Sequence, residues 1–145
     1  MAKILIMEDE FDQANLLLAI LTNAGHDVTL SHDGDEAWAM LLKEPYDVLL
    51  TDMSVKSNTD TLRKAGGLAL IGKMRAVKGA DYPDWIGRVR IVAISGVYTL
   101  ADNMLRMART LGADVCLRKP ASIGELLTAV DPNRPRPDAD SPASS

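Results

Sequence analysis

Cysteine is nearly absent from this 145-residue chain. The single residue, Cys116, cannot form an internal disulfide, so the core must hold by packing alone, as reducing cytosolic compartments require. Long apolar runs are missing as well. The longest, Leu16 to Leu21 and Ala37 to Leu42, are six residues each, against the roughly 20 that span a bilayer. The amino-terminal run from Ile4 to Met7 is too short for a signal peptide and meets Glu8-Asp9-Glu10 directly. The expected location is therefore cytoplasmic, with no membrane partner. No block of five or six Lys/Arg occurs, and 20 acidic against 16 basic side chains leave a net charge of −4. Phosphate-backbone binding needs clustered cations, so nucleic acid is a poor partner for this chain. His26 and His32 lack the spacing of a metal pair and read as surface residues.

What is present suits one globular domain: 47% hydrophobic and 25% charged residues, in a length with room for one buried core but not for an added DNA-binding module. The last 15 residues, Asp131 to Ser145, hold four prolines and only two hydrophobic side chains, Ala139 and Ala143. Such a segment cannot bury enough surface to offset its ordering entropy. We expect a domain over residues 1–130 and a disordered tail over 131–145.

Along the domain, apolar runs and helical stripes alternate. Ile4-Leu5-Ile6-Met7 is a strand buried on both faces that ends abruptly in acid. Phe11, Ala14, Leu18 and Leu21 recur at steps of three and four, and Gly25 stands where a left-handed helix end is wanted. Val28 to Leu30 reads as a strand, Asp35 to Lys43 as a helix, and Val48 to Asp52 as a second buried strand ending in acid. Met53 to Lys64 is irregular and polar, which predicts a long mobile loop before a helix on Leu68, Leu70, Ile71, Met74 and Val77. A second break, Lys78 to Gly87, carries Tyr82 and Trp85, either a partner-contact patch or packing. Strand Val89 to Ile94, a helix through Ala101 to Leu111 stopped by Gly112, strand Val115 to Leu117 and a helix on Ile123, Leu126, Leu127 and Val130 complete the chain. Cys116, on an apolar strand, reads as a small core residue. Five strands alternating with five helices predict a doubly wound α/β fold, a five-stranded parallel sheet with helices on both faces.

Ligands of open parallel sheets bind outside the carboxyl ends of the strands. Those ends carry Glu8 and Asp9, Asp52, Ser95 and Lys119. Crowded carboxylates repel, which raises a pKa or calls for a hard divalent cation such as Mg²⁺. With that charge offset, one carboxylate can attack phosphorus while Lys119 and Ser95 hold phosphoryl oxygens. The parts suggest aspartyl phosphate chemistry. Gly67 to Lys73 spells G-x-x-x-x-G-K, but Met74 replaces the required Ser/Thr, no strand precedes it, and its interior is an apolar helix stripe. ATP binding there is not expected.

Lys3 to Glu10, Leu49 to Met53, Val92 to Gly96 and Arg118 to Pro120 resemble the motifs of the CheY-like response-regulator receiver domain, over roughly residues 3 to 130. The resemblance implies a flavodoxin-like strand order 2-1-3-4-5. It makes Asp52 the acceptor of a phosphoryl group from a phosphohistidine on a sensor histidine kinase or histidine phosphotransfer protein. Asp9 would be a direct Mg²⁺ ligand (Mn²⁺ being a substitute), with Glu8 acting through water and Asp52 and the Ser54 backbone carbonyl completing the set. Lys119 would pair with the acyl phosphate, ahead of a cis bond to Pro120, and Ser95 would be the switch hydroxyl beside the small Gly96. The implied role is a single-domain response regulator that catalyses only its own phosphorylation and dephosphorylation. It would signal to an unidentified downstream protein target through a changing surface on Tyr98 to Leu111, strand five and Ile123 to Val130. Phosphorylation-dependent homodimerisation is a further option.

The chain also departs from the family. No Met-Pro pair follows Asp52, the nearest matching glycines are Gly66 and Gly67, and the Asp52-to-Ser95 separation is long. Cys116 occupies the usual switch-aromatic position, so Tyr98 is an alternative readout. Ser54 and Val97 occupy positions that tune phosphoryl lifetime in the family. Two other functions compete: a receiver-like adaptor that works without phosphorylation, and a haloacid dehalogenase-like phosphatase, which lacks the second aspartate of D-x-D because Ser54 stands there.

Overall fold

The fold comes from a computed structural model that describes residues 1–53, 67–76, 82–95 and 101–133, with the backbone alone over 101–104. The elements are β1 (Lys3–Met7), α1 (Phe11–Asn23), β2 (Asp27–Ser31), α2 (Gly34–Lys43), β3 (Val48–Asp52), α3 (Gly67–Ala76), a 3₁₀ turn (Asp84–Arg88), β4 (Arg90–Ser95), α4 (Ala101–Leu111), β5 (Val115–Arg118) and α5 (Ile123–Ala129). All strands pair in parallel, in the order β2-β1-β3-β4-β5. That is the doubly wound order expected. None of the helices among the described residues is long and apolar enough to cross a membrane.

Strand side chains alternate between two cores. Leu5, Met7, Leu49, Ile91 and Ala93 face a cluster with Ala37 and Leu41 of α2, Leu70, Ile71 and Met74 of α3, and Ala108 of α4. Ile4, Ile6, Val48, Leu50, Val92 and Ile94 face the opposite cluster with Leu21 of α1 and Leu126 and Ala129 of α5. Each buried aliphatic side chain contributes about 1.5–3 kcal/mol. A one-residue register slip would exchange the two sets, so the continuous apolar runs fix position through shape as well as hydrophobicity.

Local signals end the helices as the sequence suggests. Gly25 and Gly112 adopt φ of +93° and +120° after α1 and α4, a region that strains any side chain with a Cβ. Asp33 caps α2 by accepting from the Glu36 N–H at 2.9 Å, and Ser122 with Glu125 forms a reciprocal capping box at the start of α5. Gly67 starts α3 against the end of β3. A Cβ there would lie 2.6 Å from Met53 Sδ and 2.9 Å from Thr51 Oγ1, so a side chain would push the helix off the strand that carries Asp52.

Three sequence readings change, and one left open, on Trp85, is decided. Phe11 opens α1 but is 71% exposed, because that turn begins beyond the end of β1, and the helix buries Ala14 and Leu21 instead. Ile123 is likewise exposed at the first turn of α5. Trp85 is packing: it is half-buried against the core and its indole N–H donates to the Leu41 carbonyl at 2.7 Å, while Tyr82 tilts against Trp38 at 6.0 Å. His26 is half-buried and its Nδ1 accepts from the Ala2 N–H at 2.9 Å. The Gly67–Lys73 segment is helix with Leu70 and Ile71 buried, which leaves no phosphate cradle. Residues 54–66, 77–81, 96–100 (with Tyr98) and 134–145, to which the expected loop, the end of the third helical stripe and the expected disordered tail belong, lie outside the described residues.

Arg75 locks the far end of this frame. Its guanidinium donates to the carbonyls of Gly112, Gly87 and Val89 at 3.0, 3.0 and 3.1 Å and to Asp114 at 2.8 Å. Asp114 also accepts from the Ile91 N–H at 2.8 Å, and its side chain is only 7% exposed. Replacing Arg75 with Met would take a guanidinium away from a buried carboxylate and from three backbone carbonyls. Urea unfolding followed by circular dichroism should show Arg75→Met destabilised by about 3 kcal/mol.

Candidate functional site

Parallel pairing continues just past the strand ends and thereby builds one rim. The Glu8 N–H donates to the Ser31 carbonyl at 3.0 Å, Met53 to Ile94 at 2.6 Å, and Lys119 to Ser95 at 2.8 Å. Asp52 pairs with Ile94 in register, so Ser95 extends one residue beyond it. Residues far apart in sequence thus stand abreast. Glu8 and Ser95 are each 3% exposed, and the Asp52 side chain 6%.

Lys119 reaches from the end of β5 to Asp52, forming an ion pair with its Oδ2. The same ammonium donates to Oε1 of Gln13, in the first turn of α1. Sequence reasoning missed Gln13. Its only signal was a position four residues after Asp9, where a helix beginning at Phe11 turns it back over the rim. The Lys119–Pro120 peptide bond is cis, as the resemblance implied.

Glu8 is divided in its contacts. Oε1 accepts from the Glu10 N–H at 3.1 Å and so serves the open end of α1, whereas Oε2 is buried with no hydrogen-bond partner. Burial, together with the neighbouring Asp52 carboxylate, pushes the Glu8 carboxyl up to about 9; the Glu10 N–H and the Lys119 charge oppose this. An unpartnered buried carboxylate oxygen beside a second carboxylate fits a hard cation, which would relieve both the repulsion and the missing contact. Asp9, next along the loop, is exposed, and among the described residues no three His, Cys, Asp or Glu side chains close on one point. Ser54 lies outside the described residues.

Other sequence candidates fall elsewhere. Cys116 packs at the edge of the core and donates weakly to the Leu105 carbonyl at 3.6 Å; burial pushes its thiol up, which suits packing rather than reactivity. A cavity of about 330 Å³ opens at the opposite edge of the sheet, lined in part by Tyr46, Trp85, Arg88 and Arg90. Its cations are already engaged, Arg88 with Asp84 at 3.2 Å and Arg90 with the Ala129 carbonyl at 2.7 Å.

Comparison with known proteins agrees with this geometry. Residues 4–131 match the family model described as the response regulator receiver domain, and the chain belongs to that family. It is 31% identical over 127 residues to a response regulator receiver protein of Anaeromyxobacter sp. strain Fw109-5, covering 88% of this chain and 46% of that protein. The chain spans about half the length of such curated relatives. Among solved structures, a receiver domain protein from Clostridium thermocellum superposes with a TM-score of 0.71 at 21% identity, covering 90% of this chain and 91% of that one. A response regulator from Burkholderia pseudomallei, solved with a phosphorylated aspartic acid, a calcium ion and citrate, gives 0.69 at 24% identity, covering 90% and 67%. The chain is therefore a response regulator receiver domain of the two-component type, a family of signalling phosphoacceptors.

The Glu8 environment sets a pH dependence. Its folded-state pKa lies above the unfolded value of 4.5, so the stability its proton contributes is full below that pH and is lost as pH rises towards about 9. In chelator, urea unfolding between about pH 5 and 8 should show wild type losing up to about 1.4 kcal/mol per pH unit relative to Glu8→Gln. Added Mg²⁺ should flatten that difference.

Proposed function

We propose that this domain accepts a phosphoryl group on Asp52 from a phosphohistidine and signals through altered protein contacts. The observation that carries this reading is the buried Asp52 carboxylate at the carboxyl end of β3, ion-paired to Lys119 and crowded by Glu8. An Asp52 oxygen forms a bond to phosphorus as the bond from phosphorus to the donor imidazole nitrogen breaks. The bonding electron pair returns to the ring nitrogen, which takes a proton from solvent.

Lys119 offsets negative charge on the transferred group as it moves from Asp52 alone to the acyl phosphate, and Ser95 offers a hydroxyl from the neighbouring strand end. Asp9, Asp52 and the Ser54 carbonyl would hold a divalent cation, with Glu8 acting through water; Mg²⁺ is the proposed ion and Mn²⁺ its substitute. When bound, that ion supplies charge neutralisation between carboxylates and phosphoryl oxygens. The calcium ion and phosphorylated aspartate in the Burkholderia pseudomallei neighbour support a divalent cation at such a site.

The donor is a sensor histidine kinase or a histidine phosphotransfer protein. Phe11 and Ile123 support a protein donor: both are exposed at the first turns of α1 and α5, the two helices on one face of the sheet that flank the rim. Apolar side chains there would be covered by a docked partner while its imidazole reaches Asp52. The downstream target would read the α4–β5–α5 surface, with dimerisation as one form of output.

The test is intact mass after incubation with a small phosphodonor and Mg²⁺. Wild type should gain one phosphoryl group and Asp52→Asn none. Equal mass in both, with a donor that labels another receiver, would overturn the assignment and favour an adaptor independent of phosphorylation.

A further inference from the structure

We infer that Gln13 is a positioning residue for the Lys119 ammonium and thereby sets the rate of phosphoryl transfer to Asp52. The inference rests on the reading of Asp52 as phosphoacceptor. The Lys119 ammonium pairs with Asp52, and its four-carbon stem is intrinsically free to rotate. Two acceptors hold the head group: Asp52 Oδ2 and Gln13 Oε1. An ammonium has three N–H donors, so this arrangement leaves one for an incoming phosphoryl oxygen.

The amide is itself oriented. Gln13 Nε2 donates to Glu10 Oε2 at 3.2 Å, and a carboxylate accepts only, so the NH₂ end of the amide must face Glu10 and the oxygen must face Lys119. Glu10 therefore accepts from Gln13, Gln13 accepts from Lys119, and Lys119 donates in both of its contacts, to Gln13 and to Asp52. Glu10 is in turn tied to Glu8, whose Oε1 accepts from the Glu10 N–H. A neutral acceptor matters here. A carboxylate at position 13 would neutralise the ammonium, whereas an amide oxygen holds it in place and leaves its charge for the transferred group. Gln13 touches neither phosphorus nor the acceptor carboxylate, so it acts only through Lys119.

The experiment uses the full chain with Mg²⁺ and acetyl phosphate, a donor that needs no docked protein. Asp52 Oδ forms the new bond to phosphorus, the acyl oxygen–phosphorus bond breaks, and acetate leaves with the electron pair. Rates are measured by intact mass for wild type, Gln13→Leu, Lys119→Ala and the double variant, with thermal unfolding to confirm that each is folded. Gln13→Leu should slow phosphorylation roughly tenfold. In the Lys119→Ala background the same substitution should change nothing further, because its only route of action has gone.

A second readout needs no metal or donor. In the ¹⁵N spectrum of metal-free protein, the Lys119 ammonium signal should be observable in wild type and lost to fast hydrogen exchange in Gln13→Leu. Equal slowing in both backgrounds, no slowing at all, or an unchanged ammonium signal would each overturn the inference. Failure of wild type itself to be phosphorylated would overturn the underlying reading of Asp52, and is distinguished by the Asp52→Asn control giving the same mass as wild type.

Discussion

Burial of both faces of the parallel sheet governs the rest of this molecule. Ile4, Leu5, Ile6, Leu49, Leu50, Val92 and Ala93 are essentially inaccessible, so the three central strands can place no charged group along their length without leaving it unpaired in an apolar medium. Ionisable groups must emerge at the strand ends. Because all five strands run the same way, one edge collects every carboxyl terminus, and that edge receives Glu8, Asp52, Ser95 and Lys119. The chemistry is concentrated by topology before any side chain is specialised for it.

That concentration creates an electrostatic conflict which the site uses. Two carboxylates at the ends of β1 and β3 are held together in a place that water scarcely reaches, and Lys119 satisfies only one of them directly. The result is asymmetric. Asp52 is engaged by a cation, while Glu8 is pushed towards its protonated form and keeps one oxygen without a partner. Such a site is more stable with additional positive charge than without it, a condition that a hard divalent ion would meet.

Much of this was legible in the sequence because each signal was both strong and local. Apolar runs of four and three residues leading into acid marked β1 and β3, and Gly25 and Gly112 marked helix ends that need positive φ. The alternation of elements then restricted the topology to a doubly wound sheet, and the strand-end rule picked out the acidic, hydroxyl and ammonium groups. What escaped depended on contacts between distant segments. Phe11 and Ile123 fit their helical stripes but sit on turns that overhang the sheet edge, a matter of where a helix begins relative to its strand. Trp85 looked like a loop aromatic until its indole N–H found the Leu41 carbonyl, and Gln13 offered only its place on the first turn of α1, because its contact is with a lysine 106 positions away.

The two ends of the sheet are held differently, and this constrains how a signal could leave the rim. At the far edge Arg75 ties the carboxyl end of α3 to the turn after α4 and to the entry of β4, with Asp114 closing the network. Breaking that network would cost several kcal/mol, more than a local rearrangement at the rim readily supplies. The near ends of the same helices have no comparable lock among the described residues; α3 begins on the close approach of Gly67 to Met53 and Thr51. Any change of charge or contacts at the rim therefore meets α3 and the turn after α4 held at the far end by Arg75. On the reading proposed above, a partner that tells the two states of Asp52 apart does so where the α4–β5–α5 surface meets the rim, away from the Arg75 lock.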